Sequence, residues 1–198
     1  MSGILNYLQK RILEDGIVEP GNVLKVDSFL NHQIDPIVME EVVNEFVDYF
    51  SDRKITKVIT IEASGIAPAI MLAARLKVPM LFAKKTEPST LKNKKRFEST
   101  VHSYTKNVTS NVIVSREYLD EEDSVLIVDD FLANGQAAMG LVDIVRQAGA
   151  EVAGVGICIE KSFQTGHEIL KDAGVDLYSI CRIASLTDGK VTFVEENK

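Results

Sequence analysis

The chain has few of the residues that build metal centres or disulfide frameworks. Its 198 residues include only three histidines and two cysteines. His32, His102 and His167 are too scattered along the sequence to form a recognisable metal motif. Cys158 and Cys181 both fall in apolar, strand-like segments, so we expect two buried, unpaired thiols. Free thiols are typical of a protein that works in a reducing cytoplasm.

Long hydrophobic runs and an excess of positive charge are also absent. No apolar run approaches the ~20 residues that a membrane span requires. The first residues, Met1 to Ile4, lack a basic region followed by a long apolar one, so no signal peptide is evident. A net charge of −7 argues against a general nucleic-acid binder. We therefore expect a cytoplasmic protein that contacts neither membrane nor nucleic acid.

What is present is an alternation of apolar strands and amphipathic helices. Lys57 to Ile61 is predicted to be a strand followed by a helix from Ile66 to Leu76. Val125 to Val128 is a second buried strand, followed by a helix from Gln136 to Ala148. This pattern predicts an α/β fold with a mainly parallel central sheet of about five strands, flanked by helices. The length fits a single domain spanning residues 1–198.

Residues 1–52 are predicted to place helices ahead of the sheet. Ser2 can cap a first helix that ends at Gly16, and short extended pieces follow at Val23–Val26 and Phe29–Leu30. Asp35 and Pro36 form a strong start for a second helix. One face of that helix carries an apolar stripe that we interpret as core: Met39, Val42, Val43, Phe46, Val47 and Phe50.

An acidic pair stands where the second buried strand is predicted to end. Asp129 and Asp130 follow the apolar run, and a turn with Asn134 and Gly135 leads into the helix. Ligands of parallel sheets bind beyond the carboxyl ends of the strands, and a helix N-terminus there favours phosphate. Two carboxylates would repel a bare phosphate, but they suit sugar hydroxyls or a magnesium ion bridging to a pyrophosphate. The alternative is a core strand with an ordinary acidic turn; we expect both side chains at an exposed strand end.

The loop after the first strand follows the same logic. Glu62 to Gly65 joins Lys57–Ile61 to the next helix through small residues, including Ser64. Taken alone, this loop could equally be a plain strand-to-helix turn, in which serine and glycine are common. Its recurrence in one chain favours a second anion-binding loop.

Positive charge is concentrated after the predicted strand Val78–Ala83. Lys84 to Lys106 carries seven basic and two acidic residues, a net charge of +5, which leaves −12 on the rest of the chain. A solvated basic loop is the default interpretation, but a lid over an anionic ligand fits a long basic loop at a strand end. Ser99–Ser103 and Asn111–Val114 are predicted to pair as a two-stranded ribbon, so residues 84–115 form a hood loop with its ribbon.

The remaining segments complete the predicted sheet. Glu151–Ile159 is a strand followed by Lys161, a residue that is most often a solvated charge but here lies beyond the same sheet edge as the acidic pair. Thr165 and Glu168 form a capping-box pattern for a short helix. Asp176–Ala184 is a strand, and Asp188-Gly189 turns into a terminal hairpin strand at Lys190–Val194.

The thirteen residues Val125–Ala137 resemble the phosphoribosyl-pyrophosphate (PRPP) motif of type I phosphoribosyltransferases. Both have four apolar residues, two acids and a small-residue loop. The commonest form of the motif has Thr-Gly-Gly or Ser-Gly-Gly where this chain has Asn134-Gly135-Gln136, so the loop hydroxyl that contacts the 5′-phosphate is missing. That departure, together with Leu24–Gln33, resembles one branch of the family, the bacterial xanthine phosphoribosyltransferases.

The resemblance implies transfer of the phosphoribosyl group of PRPP onto a purine nitrogen, with pyrophosphate released. It implies that Asp129 and Asp130 are catalytic and hold the ribose. The residues implied to bind PRPP are Ala133, Asn134, Gly135, Gln136, Ala137, Ser64, Gly65, Lys84 and Lys85. Those implied to contact the base are Leu24, Asn31 and Lys161. It also implies Mg²⁺ as the cofactor, carried by PRPP with Asp129 and Asp130 as candidate ligands, and a homodimer.

Xanthine is the base that the resemblance implies, giving xanthosine 5′-monophosphate (XMP) in purine salvage. A lysine ammonium donates to a 6-oxo group, whereas the 6-amino group of adenine would oppose it. Asn31 can pair with the 2-substituent or the adjacent ring nitrogen, so guanine and hypoxanthine stay open as alternative bases. A non-catalytic PRPP-sensing regulator is a further alternative. Such a protein would be expected to add a basic DNA-binding domain, and the residues before Lys57 lack a basic cluster.

Overall fold

The computed structural model describes residues 5–86, 95–103 and 108–195. The helices are α1 (Tyr7–Asp15), α2 (Pro36–Tyr49), α3 (Ile66–Leu76), α4 (Gln136–Gln147) and α5 (Gly166–Asp172). The strands are β1 (Ile17–Glu19), β2 (Val23–Lys25), β3 (Lys57–Ile61), β4 (Met80–Ala83), β5 (Arg96–Ser103), β6 (Val108–Ser115), β7 (Ser124–Leu132), β8 (Glu151–Lys161), β9 (Leu177–Thr187) and β10 (Lys190–Phe193). Among the helices within these ranges, none is both long and apolar enough to cross a membrane.

A six-stranded sheet in the order β10-β9-β8-β7-β3-β4 forms the centre of the molecule. Five strands are parallel and β10 alone is antiparallel, which confirms the predicted α/β fold and adds the hairpin strand to the main sheet. Asp188 and Gly189 form the hairpin turn with φ of 52° and 72°. Because β3, β7 and β8 run in one direction, the residues that follow them collect at one edge.

The core has two clusters, one on each face of the sheet. Helices α1, α2 and α3 cover one face, while α4, α5 and the β5–β6 ribbon cover the other. Strand β7 shows why its sequence is continuously apolar: Leu126 and Val128 belong to the first cluster, Val125 and Ile127 to the second. Both cysteines are free and buried, as predicted.

The N-terminal segment departs from the prediction at three points. Helix α1 is capped by Asn6 in a capping box with Gln9, since the helix begins later than expected; Ser2 lies outside the described residues. Phe29 and Leu30 are buried in a π-helical turn spanning Asp27–Asn31, not in an extended piece. Strand β1 was missed, and it pairs with β2. The predicted Asp35 cap and the buried stripe of α2 are confirmed.

Two further predictions are corrected near the site. Strand β7 runs on through the acidic pair to Leu132, because Phe131 and Leu132 still pair with β8. Thr165 precedes α5 but makes no side-chain capping bond; its backbone is helical, whereas a capping residue normally has an extended backbone. The N–H of Gly166 instead donates to the Ala133 carbonyl at 2.9 Å.

The predicted ribbon is confirmed and is longer than expected. All eight residues of β5 pair with β6 in an antiparallel register, and the ribbon packs on α4. A Cβ added to Gly140 of α4 would lie 2.6 Å from Val101, so the small residue permits this packing. The hood prediction for residues 84–115 falls partly on residues 87–94 and 104–107, which lie outside the described residues, and it stays a prediction.

Candidate active site

Two adjacent carboxylates are buried near the carboxyl end of β7. Asp129 and Asp130 are only 6% and 7% exposed, so the expectation of an exposed strand end was wrong. The cause is the extension of β7 to Leu132, which keeps both residues within the sheet. The Asp130 N–H donates to Asp129 Oδ1 at 3.0 Å. Burial, reinforced by the neighbouring Asp130 charge, raises the pKa of Asp129 well above its ordinary value.

The turn after β7 is wedged against the start of α5. Gly135 has φ of 83°, a conformation that glycine adopts without strain, and it precedes the first residue of α4. A Cβ on Gly135 would lie 2.9 Å from Gly166 Cα. Asn134 Oδ1 accepts from the Gln136 N–H at 3.1 Å. The predicted phosphate loop is thus a fixed turn at the N-terminus of a twelve-residue helix, a geometry that favours anions.

The loop after β3 lies directly beside the acidic pair. A Cβ on Gly65 would be 2.1 Å from Thr60 Oγ1 and 2.6 Å from Asp129 Oδ1, so only glycine fits at this position. Thr60 is fully buried, and its hydroxyl has no hydrogen-bond partner among the described residues. Gly65 in turn opens α3. The loop after β3 and the acidic pair of β7, which the sequence identified separately, therefore meet at one point.

The two predicted lysines at the start of the basic segment are anchored by their backbones. The Lys85 N–H donates to Glu62 Oε1 at 2.7 Å, which ties this segment to the loop after β3. The Lys85 charge acts to lower the pKa of Asp129, against the larger effect of burial. Lys84 pairs with Ile113 of the ribbon through its backbone. Its ammonium lies 5.5 Å from the Phe82 ring centroid, and Ser64 is half-buried in the neighbouring loop.

Of the residues predicted to contact the base, Asn31 joins the acidic pair. Its Nδ2 donates to Asp130 Oδ2 at 3.4 Å, and its Oδ1 is buried without a hydrogen-bond partner in the described part of the chain. Leu24 is buried in the first core cluster just ahead of it. The π-helical turn that ends at Asn31 is what directs this side chain to the carboxyl edge of the sheet.

Lys161 lies at the end of β8, the strand next to the acidic pair. Its Nζ donates to the Asn22 carbonyl at 2.8 Å and lies 5.7 Å from the Phe131 ring centroid. Burial lowers the pKa of Lys161 from its ordinary value. Sequence reasoning missed Asn22 and Phe131. Phe131 follows the acids inside the motif and could have been found there, whereas Asn22 is recognisable only from the fold.

Glu160, which the sequence did not single out, has the most partners of any carboxylate at this edge. It is 1% exposed and accepts from Ser162 Oγ at 2.5 Å and Ser179 Oγ at 2.6 Å. Arg182 Nε donates to it at 3.3 Å, and His167 Nδ1 lies 3.2 Å away. Burial alone would raise the pKa of Glu160, but these hydrogen bonds outweigh it and lower the pKa. The partners come from three segments that only the fold brings together.

The acidic pair fits magnesium by its chemistry. Carboxylate oxygens are hard ligands, and Asp129 and Asp130 present them side by side. No group of three or more histidine, cysteine, aspartate or glutamate residues in the described ranges could form a metal cage. Mg²⁺ in such sites is held by one or two carboxylates plus substrate phosphates and water, so two protein ligands are sufficient.

Solved structures of phosphoribosyltransferases share this fold. Adenine phosphoribosyltransferase from Rhodothermus marinus superposes with a TM-score of 0.72 at 24% identity, covering 87% of this chain and 96% of that one. The adenine enzyme of Trypanosoma brucei, solved with AMP, pyrophosphate and ribose-5-phosphate, also gives 0.72, at 19% identity over 87% of this chain and 78% of its own. At these identities the likeness establishes the fold.

Sequence comparison establishes the family. The profile of the phosphoribosyl transferase domain matches residues 26–178. Xanthine phosphoribosyltransferase of Macrococcus caseolyticus (strain JCSC5402) is 59% identical over 194 residues, which is 98% of this chain and all of that protein. The enzyme of the same name from Staphylococcus aureus (strain MRSA252) is 56% identical over 97% of this chain and all of its own length. This chain belongs to the type I phosphoribosyltransferase family.

Proposed function

We propose that the protein transfers the 5-phosphoribosyl group from PRPP to xanthine, forming XMP and pyrophosphate in purine salvage. The observation that carries this proposal is the meeting of Asp129, Asp130 and the Gly65 loop at one sheet edge, with Lys161 on the next strand. The relatives that match this chain over nearly its whole length carry the name xanthine phosphoribosyltransferase, which supports the choice of base.

The carboxylates act on the ribose. When the bond from C1 to the pyrophosphate oxygen lengthens, positive charge builds on the ring, and two nearby carboxylates stabilise that charge. Asp129 and Asp130 also accept hydrogen bonds from the ribose hydroxyls. The pKa of Asp129 is raised because two adjacent negative charges are unfavourable in a buried place. A bound ribose or cation would reduce that unfavourable free energy. No covalent nucleophile is needed, because orienting two substrates removes much of the entropic barrier.

The phosphates are held mainly by backbone groups. The turn from Ala133 to Ala137 and the N-terminus of α4 take the 5′-phosphate, and the loop at Ser64 and Gly65 takes the pyrophosphate. Lys84 and Lys85 add positive charge on that side. Asp129 and Asp130 would hold the magnesium ion, which neutralises charge on the leaving pyrophosphate when bound. A chelator such as EDTA should abolish turnover, and added Mg²⁺ should restore it.

The base lies between Lys161 and Asn31 in this proposal. The Lys161 ammonium has three N–H groups and donates one to Asn22, so two are left for the 6-oxygen of a purine. Leu24 lies just ahead of the π-helical turn and packs against the base plane. The 6-amino group of adenine would face the ammonium donor to donor, so adenine is a poor substrate.

The orientation of Asn31 supports guanine as a second candidate base. Asn31 donates one N–H of its NH₂ to Asp130, and its carbonyl oxygen, which has no partner among the described residues, is the group free to accept from the base. The sequence leaves the amide orientation open, and an NH₂ facing position 2 would favour the 2-oxygen of xanthine. A carbonyl accepts instead from the 2-amino group of guanine or from a ring N–H beside C2, and xanthine offers such an N–H. The amide therefore determines the ratio of the two activities.

One assay tests the proposed function. Wild-type protein with PRPP and Mg²⁺ is given each purine in turn, and nucleotide formation is followed. Xanthine should lead and adenine should be nearly inert, while guanine should follow xanthine by less than the roughly tenfold to hundredfold that an Asn31 NH₂ facing position 2 would impose. Asn31→Ala should mainly change the xanthine-to-guanine ratio. Equal use of adenine and xanthine, or a ratio that Asn31→Ala leaves untouched, would refute this account of the base site.

Three further properties belong to the proposal. The hood from Lys84 to Lys106 closes over PRPP, and amide hydrogen exchange with and without PRPP should show greater protection when it is bound; unchanged exchange would refute closure.

The protein is a homodimer, so sedimentation equilibrium should give about twice the chain mass of 21.9 kDa. It acts in the cytoplasm, which its two free thiols support and cell fractionation would test.

A further inference from the structure

We propose that Glu160 is a positioning residue that couples the base site to the 5′-phosphate site. The inference rests on the proposed function of Lys161 and of the turn at Ala133–Ala137. Glu160 itself is 1% exposed and faces no substrate in this arrangement; it acts through the segments that it holds in place.

The first connection runs from Glu160 to Lys161. Glu160 pairs with Leu132 on one side and Arg182 on the other, so its backbone is fixed within the sheet. Its side chain accepts from Ser162 Oγ at 2.5 Å, the residue just beyond Lys161. Lys161 is therefore flanked by two residues that are bonded to each other, and this bond restricts the directions in which the lysine can extend.

The second connection runs from Glu160 to the phosphate turn. His167 Nδ1 lies 3.2 Å from Glu160 Oε2, and His167 is the second residue of α5. The first, Gly166, donates its N–H to the Ala133 carbonyl at 2.9 Å. A Cβ on Gly166 would lie 2.6 Å from that carbonyl and 2.9 Å from the Gly135 nitrogen. This packing leaves no free space, so a shift of α5 displaces the turn.

Removing the charge of Glu160 should therefore weaken the binding of both substrates. In Glu160→Gln an NH₂ group, which cannot accept a hydrogen bond, replaces one carboxylate oxygen. The single oxygen that remains cannot accept from the serines, Arg182 and His167 together. We expect the KM values for PRPP and for xanthine each to rise about tenfold, with a smaller change in kcat. In a Lys161→Ala background the effect of Glu160→Gln on the xanthine KM should largely disappear, while its effect on the PRPP KM should persist.

Asp123→Asn is the matched control. Asp123 is a mostly buried carboxylate that accepts from Thr56 Oγ1 at 2.9 Å and Lys57 Nζ at 2.5 Å. It precedes β7 and so lies at the opposite end of the sheet from the site. Asp123→Asn should lower stability without moving either KM. If Glu160→Gln behaves like Asp123→Asn, or raises only one of the two KM values, the coupling proposal is overturned.

Two measurements keep the proposal testable if Glu160→Gln folds poorly or if xanthine is not the substrate. Ser179→Ala removes a single buried donor to Glu160 and should raise both KM values by a smaller factor; no change in either overturns the proposal. Calorimetric binding of ribose 5-phosphate needs no turnover. Weaker binding to Glu160→Gln than to Asp123→Asn supports the phosphate connection, and equal binding overturns it. A wild-type protein inactive on xanthine would instead refute the proposed function.

Discussion

Asp129 and Glu160 are both buried acids at the same edge of the sheet, on neighbouring strands, yet their pKa values shift in opposite directions. Glu160 accepts from two hydroxyls and an arginine and has a histidine beside it, so its charge is stabilised within the protein. Asp129 accepts from the Asp130 N–H, and burial and the adjacent like charge of Asp130 outweigh the favourable effect of Lys85 on its charge. A buried carboxylate with several hydrogen-bond donors stabilises the folded structure. A buried acidic pair with few donors is instead stabilised when a ligand binds to it.

The difference is tested most strongly by neutralising the acidic pair. Asp129→Asn combined with Asp130→Asn should lower kcat/KM by roughly 10²- to 10³-fold or more, because the developing charge on the ribose loses its partners. The free energy of unfolding should stay the same or rise, since the amides remove the repulsion. Kinetics together with urea unfolding measure both quantities. Near wild-type kcat/KM in the folded double variant would remove the catalytic assignment.

A steric change beside the pair should have the next largest effect. Gly65→Ala places a Cβ within 2.6 Å of Asp129 Oδ1 and closer still to Thr60 Oγ1, which displaces the loop proposed to bind pyrophosphate. Misplacement by about 1 Å can cost on the order of 10²-fold in rate, so we expect a loss of that size in kcat/KM for PRPP.

Gly174→Ala is the control for this variant. Gly174 has φ of 70° and open space where a Cβ would lie, so alanine should strain the backbone and lower stability while kinetics remain unchanged. Equal kinetic losses in the two variants would mean that Gly65 has no special relation to the acidic pair.

Lys161 differs from both acids, because it is held by one backbone carbonyl and has donors to spare. Lys161→Ala should lower kcat/KM for every 6-oxopurine by roughly tenfold to a hundredfold and leave the PRPP KM nearly unchanged. Steady-state kinetics with xanthine and guanine measure this. Lys190→Ala, at an exposed position of β10, provides a lysine control that should change nothing. A larger effect on PRPP than on the base would contradict the assignment of Lys161.

The smallest expected effect is on stability as a function of pH. The Glu160 pKa is lowered from 4.5, so its contribution is complete above that value and disappears as pH falls through the lower folded-state pKa. The destabilisation of Glu160→Gln, on the order of 1–2 kcal/mol, should therefore shrink in acid. The Asp129 pKa is raised from 3.8, so any gain in stability from Asp129→Asn should appear only as pH rises above that value.

Urea unfolding of the two single variants and the wild type between about pH 3 and 8 would show these opposite trends. Parallel pH profiles for Glu160→Gln and Asp129→Asn would contradict the contrast between a satisfied and an unsatisfied buried acid.

The fold was largely predictable because its signals are local. The bounds of α3 and β3 agree with the prediction, since apolar periodicity and the small-residue loop between them define both ends. Local propensity was insufficient at Phe29–Leu30, where burial of both side chains imposes a π-helical turn on a segment that looks extended. It was insufficient again at Asp129, where pairing with β8 extends a strand that the charges alone would end.

The site was only half predictable, for a similar reason. The acidic pair and the two small-residue loops were identified because each is a contiguous pattern. The contacts that give these residues their properties join distant segments: Asn31 to Asp130, Lys161 to Asn22 and Glu160 to Ser179. No local pattern encodes these pairings, and they include the orientation of the Asn31 amide, on which the proposed base preference rests.

The facing glycines of the phosphate turn and α5 constrain how this enzyme can change over generations. A side chain on Gly135 would strike the backbone of Gly166, and one on Gly166 would strike the backbone of the turn. Neither obstacle is a flexible side chain that could be trimmed by a second substitution. Random mutagenesis of either codon should therefore return almost only glycine among active clones. Where a related protein has another residue at either position, the whole loop between β8 and α5 should have a different backbone.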